Sequence, residues 1–384
     1  MLGLSRDNRL ITLSLLLWGL GEGLFFFVQP WYIGELGASP TQIGGVLALA
    51  GVVTAATYLP GGIISDRLDR KLTMIGGFAI GSVAVLVMAL ARHWQTLVPG
   101  LLLYATSGYC IPAIYSYVTH ASEGEDLTRT LMTVFAAYSL GLTPSPAIGG
   151  WLVELVGMRL TYVVAAGCFM AATLVVSRVA RQPKPDGSQL MAGRELAKNR
   201  TFLVLSAVFM SVYFVTYLGQ PFAPNYLAEV TGLRLGWIGF LGSAHALGAF
   251  VLGLALGRWR AGPRWGLIAA QGLVGLSFVL LLRTNAIGPL SVAFFLRGAY
   301  ASTRSLASAW IGDVLGRQSL GLAYGVLSTV FGIANVVAPY AAGWLYAARP
   351  ALPFLVAAAA VPATMLLTGA VGFGDRQPAE AVGL

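Results

Sequence analysis

Gly62-Ile63-Ile64-Ser65-Asp66-Arg67-Leu68-Asp69-Arg70-Lys71 stands between two apolar runs, Gln42–Ser65 and Leu72–Ala91. Each run has the roughly 20 apolar residues that an α-helix needs to cross a bilayer. A membrane strand needs only about ten, in alternation, so these are helices. The loop's basic residues suit a cytoplasmic face, where Lys and Arg accumulate. That bias accounts for Arg70 and Lys71 but not for Gly62 or Asp66. Gly62 permits close helix packing. Asp66 puts a carboxylate at a helix end, where it can meet another helix's positive N-terminus and nearby arginines.

The rest of the chain reads the same way. Of 384 residues, 57% are hydrophobic and 10% charged, whereas soluble domains carry about a quarter charged residues. A globule of this size cannot hide so much apolar surface, so lipid is its solvent. Twelve spans are expected: Leu10–Ile33, Gln42–Ser65, Leu72–Ala91, Gln95–Thr119, Arg129–Leu155, Leu160–Ala180, Thr201–Ala228, Leu235–Gly257, Trp265–Leu282, Ile287–Gly312, Leu320–Ala347 and Leu352–Phe373. The first follows Arg6 and Arg9, is too long for a signal-peptide core and lacks a cleavage site, so it reads as an uncleaved span. Of the 24 Lys and Arg, 17 fall on the side of both termini, 5 on the other and 2 within a span. That places both termini in the cytoplasm of a multi-pass protein of an inner or plasma membrane. The net charge of +9 reflects this topology rather than nucleic-acid binding, since no basic helix or RNA-binding aromatic pattern accompanies it. Cys110 and Cys168 sit in apolar stretches and read as packing residues, with no disulfide or metal spacing.

The halves repeat. Gln29-Pro30 and Gln220-Pro221 lie 191 residues apart, as do Gly62-x-x-x-Asp66-Arg67 and Gly253-x-x-x-Gly257-Arg258. Ile43-Gly44 matches Ile238-Gly239, and Pro146 with Gly150-Trp151-Leu152 matches Pro339 with Gly343-Trp344-Leu345, 193 residues on. Four pairs in order at nearly constant offset argue for two six-helix bundles, 1–180 and 201–384, joined by a polar linker at 181–200 that contains Pro183 and Pro185.

With these features the chain resembles the major facilitator superfamily over essentially its whole length. The Gly62–Lys71 loop looks like that family's G-x-x-x-D-R-x-G-R-R/K signature, with Asp69 in place of the second Gly. The resemblance implies that Gly62, Asp66, Arg67, Arg70 and Lys71 latch the halves together on the cytoplasmic side. Gly141, Ser145, Pro146, Gly149 and Gly150 are similar to the family's antiporter motif, with Ser145 replacing a Gly. That motif implies proton-coupled efflux; generic tight packing is the alternative. A family arginine in the fourth span is absent, and Tyr104 stands there ahead of Gly108. In the family, the first, fourth, seventh and tenth spans line a central cavity.

Charges at mid-membrane are functional candidates. Glu22 is central in the first span; Arg297 and Arg304, seven residues apart, share a face of an unbroken tenth span. Helical spacing gives three stripes: Trp18, Glu22, Phe25 and Gln29; Tyr213, Tyr217 and Gln220; Arg297, Tyr300, Arg304 and Ser308. Tyr104 and Tyr115 are candidates in the fourth span. A carboxyl in a low-dielectric cavity can exchange protons near neutral pH; alternatively Glu22 is a fixed partner of Arg297 or Arg304, or a ligand contact. The arginines suit an anionic substrate group, although Arg304 could instead snorkel or bind helix-end carbonyls. His245 and Asn335 read as hydrogen-bonded packing residues.

These features favour a monomeric, proton-coupled exporter of small amphipathic compounds by alternating access. Proton-coupled uptake of an anionic or sugar-like metabolite, and lipid flipping on the same scaffold, are the alternatives. No cofactor, metal or nucleic acid is expected. No P-loop, H-E-x-x-H or G-x-S-x-G is present, which speaks against an enzyme, and a channel is disfavoured by the two-half repeat about one charged site.

Overall fold

The structure is a computed structural model and describes residues 4–67, 69–122, 127–182, 199–259, 261–315 and 320–371. Every regular element among them is helical: α1 (Arg6–Gly23), α2 (Gln29–Glu35), α3 (Pro40–Arg67), α4 (Arg70–Ala89), α5 (Trp94–Ser107), α6 (Ile111–Ala121), α7 (Leu127–Leu142), α8 (Ser145–Val176), α9 (Arg200–Leu218), α10 (Ala223–Glu229), α11 (Leu235–Gly257), α12 (Pro263–Arg283), α13 (Ile287–Arg297), α14 (Ser302–Leu315), α15 (Leu320–Ala348) and α16 (Leu352–Ala370). Nine helical stretches among these residues are long and apolar enough to cross a membrane.

Nine is fewer than the twelve expected spans. The fifth and sixth form one stretch, Arg129–Val176, turned at Gly157, whose φ of 79° is strained for any residue with a Cβ. The first and tenth are not among the nine; Glu22 lies in the first and Arg297 and Arg304 in the tenth. Turn residues 24–28 separate α1 from α2, and a 3₁₀ segment, Gly298–Ala301, separates α13 from α14. A second 3₁₀ segment, Gly108–Cys110, separates α5 from α6, and α9 breaks before α10. Prolines explain several breaks, since they lack an N–H and clash with the preceding turn. Pro30 and Pro224 sit in the first turns of α2 and α10, Pro112 in that of α6 and Pro146 in that of α8.

Large apolar side chains point outward as well as inward. Leu155 is 80% exposed and Leu366 75%, positions that lipid would cover. Inward, a continuous buried cluster joins the first part of the chain to the second, from Phe25 and Tyr162 to Phe222 and Phe354.

Two helix crossings tie these parts together, and both are built on the repeated glycines. At the first, α3 meets α15. A Cβ on Gly44 would lie 3.1 Å from the Gly343 Cα, and one on Gly343 would lie 2.7 Å from the Pro40 carbonyl. At the second, α8 meets α11, where Cβ atoms on Gly150 and Gly239 would each lie 2.9 Å from the other's Cα. Backbones this close gain dispersion that no larger residue would permit.

Candidate functional site

Glu22 lies near the C-terminal end of α1, and small residues determine what it meets. Gly19 and Gly23 of α1 pack against the Tyr138 backbone and Ser145, while Gly141 and Gly149 pack against the α1 backbone at Leu20 and Leu24. The Ser145 hydroxyl donates to the Gly141 carbonyl at 2.9 Å and the Gly19 carbonyl at 3.3 Å. This zipper lays α7 along α1, and the Tyr138 hydroxyl donates to the Glu22 carboxylate at 2.9 Å. The ion pairs among the described residues are Arg181–Asp69 and Arg234–Glu154; the alternative reading of Glu22 as a partner of Arg297 or Arg304 is not realised among them. Sequence reading missed Tyr138, whose only signal was a tyrosine in an apolar span, one helical turn before Gly141.

The antiporter-like motif therefore divides its work. Gly141 and Gly149 face α1 in the same half of the sequence, and only Gly150 and Pro146 face α11. Gly149 and Gly150 are neighbours on a helix, hence roughly 100° apart, so both cannot face one partner. Near the same crossing the Ala147 amide donates to the Ser243 hydroxyl at 3.0 Å. That amide belongs to the first turn of α8 and has no helical acceptor of its own.

Two other members of the first stripe are packed away. Trp18 stacks on Phe169 with centroids 4.0 Å apart, leans on Phe78 at 4.8 Å and faces Tyr104. Gln29 is 3% exposed and donates to the Met88 sulfur at 3.4 Å. The stripe assumed one unbroken helix, and the turn at 24–28 rotates Gln29 into the core.

The second and third stripes come together as an aromatic wall. Tyr213 stacks on Tyr217 at 5.8 Å, Tyr217 on Tyr300 at 5.8 Å, and Tyr300 on His245 at 5.7 Å. Phe27, after the end of α1, touches His245 at 6.5 Å and packs on Gly242. The Tyr213 hydroxyl donates to Asn335 at 3.2 Å.

Arg297 and Arg304 part company. Four 3₁₀ residues, each turning about 20° further than α-helical ones, rotate α14 relative to α13 by roughly 80°. Arg297 is 2% exposed. Its Nε donates to the Gln220 side chain, and its Nη2 donates to the Gly219 and Gln220 carbonyls, both at 2.8 Å. Phe294 lies 5.0 Å from the guanidinium, and Nη1 is buried with no partner. Arg304 is exposed, with the Phe331 ring 5.7 Å away. Cavities of about 520 Å³ beside Asp7 and His120, and about 310 Å³ between α11 and α14, are lined by neither arginine nor Glu22.

The Gly62–Lys71 loop has its own geometry. The side chains of Gly62, Asp66 and Arg67 fall outside the described residues, as do residues 183–198 of the expected linker. Asp69 caps α4, accepting from the Lys71 amide at 2.8 Å and the Leu72 amide at 3.4 Å, which gives the departure from Gly a physical use. It also meets Arg181 at 3.6 Å, and Arg70 donates to Gln182 at 3.0 Å. Both partners stand at the start of the expected linker, and among the described residues Asp69 and Arg70 meet no residue of 201–384.

Contact between the halves is made at the other end, and sequence reading did not find it. Glu154 of α8 accepts from Arg234 at 2.9 Å and from the Gly236 amide at 2.9 Å, in the first turn of α11. Arg234 lies over Trp151, and Trp151 meets Trp237. Glu154 and Arg234 lie eighty residues apart and follow no repeat.

The sequence profile of the Major Facilitator Superfamily matches residues 11–233 and again 204–382. The chain belongs to the major facilitator superfamily. It is 23% identical to Multidrug resistance protein 1 of Bacillus subtilis, over 94% of this chain and 96% of that one. It is 22% identical to Quinolone resistance protein NorA of Staphylococcus aureus, over 88% and 89%. To the D-galactonate transporter of Escherichia coli it is 24% identical, over 88% and 89%. Its fold superposes on the nucleoside transporter NupG (D323A mutant) with a TM-score of 0.82 at 14% identity, covering 96% of this chain and 100% of that one. This superfamily member is a multi-pass transporter of the plasma membrane, and its relatives are transporters, not enzymes.

Proposed function

We propose that the chain is a proton-coupled exporter of small, planar, amphipathic compounds, working as a monomer by alternating access. Two six-helix bundles, 1–180 and 201–384, joined at 181–200, supply twelve spans with both termini cytoplasmic. Cargo sits between the bundles, against Tyr217, Tyr300 and Arg304, and each bundle rocks about it. Glu22 carries the proton.

The observation that carries this reading is Glu22 itself. It is a carboxylate at membrane depth that accepts from the Tyr138 hydroxyl and, among the described residues, stands in no ion pair. A carboxylate fixed in an ion pair has little reason to titrate, whereas one held by a tyrosine can take and release a proton. The likeness to multidrug and quinolone resistance proteins supports export, and a tyrosine wall suits flat aromatic cargo.

The test is transport of a labelled quinolone in vesicles under an imposed pH gradient. Glu22→Gln should abolish uphill movement while leaving exchange at equal pH intact. Normal uphill accumulation by the variant would remove the coupling role. Uptake of an anionic metabolite is the second reading, supported by the exposed Arg304 and the likeness to a D-galactonate transporter. Reversing the gradient with a sugar acid as cargo separates the two.

A further inference from the structure

The break in the seventh span poses a hydrogen-bonding problem that is written in the sequence. Pro221 removes the amide that the Tyr217 carbonyl would have received, and Pro224 removes the one due to the Gln220 carbonyl. Tyr217 is served instead by the Gln220 amide at 2.8 Å, while Gln220 receives only a long bond from Ala223 at 3.5 Å. Gly219 is fixed sterically as well, because a Cβ there would lie 2.6 Å from Phe278 and 3.0 Å from Phe354. Carbonyls left bare at this depth are costly, because hydrocarbon offers no donor.

Arg297 meets that need. Three of its donor contacts go to Gly219 and Gln220, two of them to backbone carbonyls at 2.8 Å. Phe278, which packs against Gly219, also lies 5.9 Å from the guanidinium. The first half of the chain offers a natural control. At the offset of 191, Pro30 matches Pro221, but Ile33 stands where Pro224 does, and Thr106 and Ser107 stand where a matching cation would be. The half with the second proline is the half with the arginine.

We propose that Arg297 is a positioning residue. Its guanidinium caps the carbonyls orphaned at the Pro221–Pro224 break, locks the bend of the seventh span, and thereby sets Tyr213 and Tyr217 against Tyr300. The cargo-facing cation is Arg304. Among the described residues the matching bend after Glu22 has no arginine on it; the Pro30 carbonyl accepts from the Asn225 side chain at 3.4 Å.

The proposal is tested by returning the missing donor. Purified full-length Arg297→Gln should lose roughly 4 °C or more in thermal melting, and its amides around 216–226 should exchange with deuterium at least tenfold faster, with little change in α3 or α15. Pro224→Ala restores an amide opposite Gln220. The double variant R297Q/P224A should recover at least half of both losses, and Arg297→Lys, which reaches fewer carbonyls at once, should fall in between. None of these readings needs a ligand, so they stand whatever the cargo is. Unchanged melting and exchange in R297Q would overturn the proposal, as would local losses that P224A leaves uncorrected. If R297Q does not fold, the double variant decides: its folding supports the clamp and its failure refutes it.

Discussion

Among the described residues, Glu22 stands in no ion pair and Arg304 is exposed, and the proposed roles make specific demands on mutants. Arg304 is exposed beside Phe331 and has no carboxylate among the described residues. A charge-assisted contact to an anionic cargo is worth about 1.5–3 kcal/mol. Arg304→Gln should therefore raise KM for a carboxylate-bearing substrate by at least tenfold and leave that for a neutral analogue within a factor of two. Equal effects on both would mean that Arg304 serves packing rather than recognition. Gln29 makes the opposite prediction. It is buried against Met88, so Gln29→Met should leave KM unchanged in the same assay, and a large rise would return Gln29 to the cargo site.

At the scale of elements, the glycine pairs explain why the repeat was so legible. Gly44, Gly150, Gly239 and Gly343 recur in the sequence because backbones touch where they sit. Spacing alone found them, and composition alone found the apolar helices. What spacing could not find was where helices break. Each stripe was drawn on an ideal helix, and the turn at 24–28 and the 3₁₀ segment at 298–301 turned Gln29 and Arg297 inward. Partners such as Tyr138 for Glu22, or Glu154 for Arg234, lie too far along the chain for any local pattern to join them. The glycine crossings carry their own prediction. A methyl group at Gly239 would lie 2.9 Å from the Gly150 Cα, and overpacking of this kind costs about 1–3 kcal/mol. Gly239→Ala should weaken the α8–α11 crossing and speed thiol labelling of a cysteine placed at Trp151. Unchanged labelling would show that the crossing tolerates bulk.

Across the whole molecule, the contacts between halves favour one end of the bundle. There Glu154 holds both Arg234 and the first turn of α11, while at the other end Asp69 and Arg70 engage Arg181 and Gln182 at the start of the linker. If the halves rock as proposed, such an arrangement is one of the two states of that cycle. Arg234 is largely exposed, so the ion pair contributes only about 0.2–1 kcal/mol, and the cap on Gly236 adds a similar amount. Losing about 1 kcal/mol shifts a two-state balance roughly fivefold. Glu154→Ala should raise the population open at that end by this factor, read as accessibility of a cysteine at Gln42. No change would show that the glycine crossings alone set the balance.

The most direct test is to watch both ends at once. Spin labels at Gln42 and Ala347 report the end where the halves meet, and labels at Met132 and Leu254 report the opposite end; all four residues are exposed. If the halves rock about a site that Glu22 controls, lowering the pH should change the two distances in opposite directions, and Glu22→Gln should abolish that response. Distances that stay fixed, move together, or respond to pH just as well without Glu22 would contradict the account.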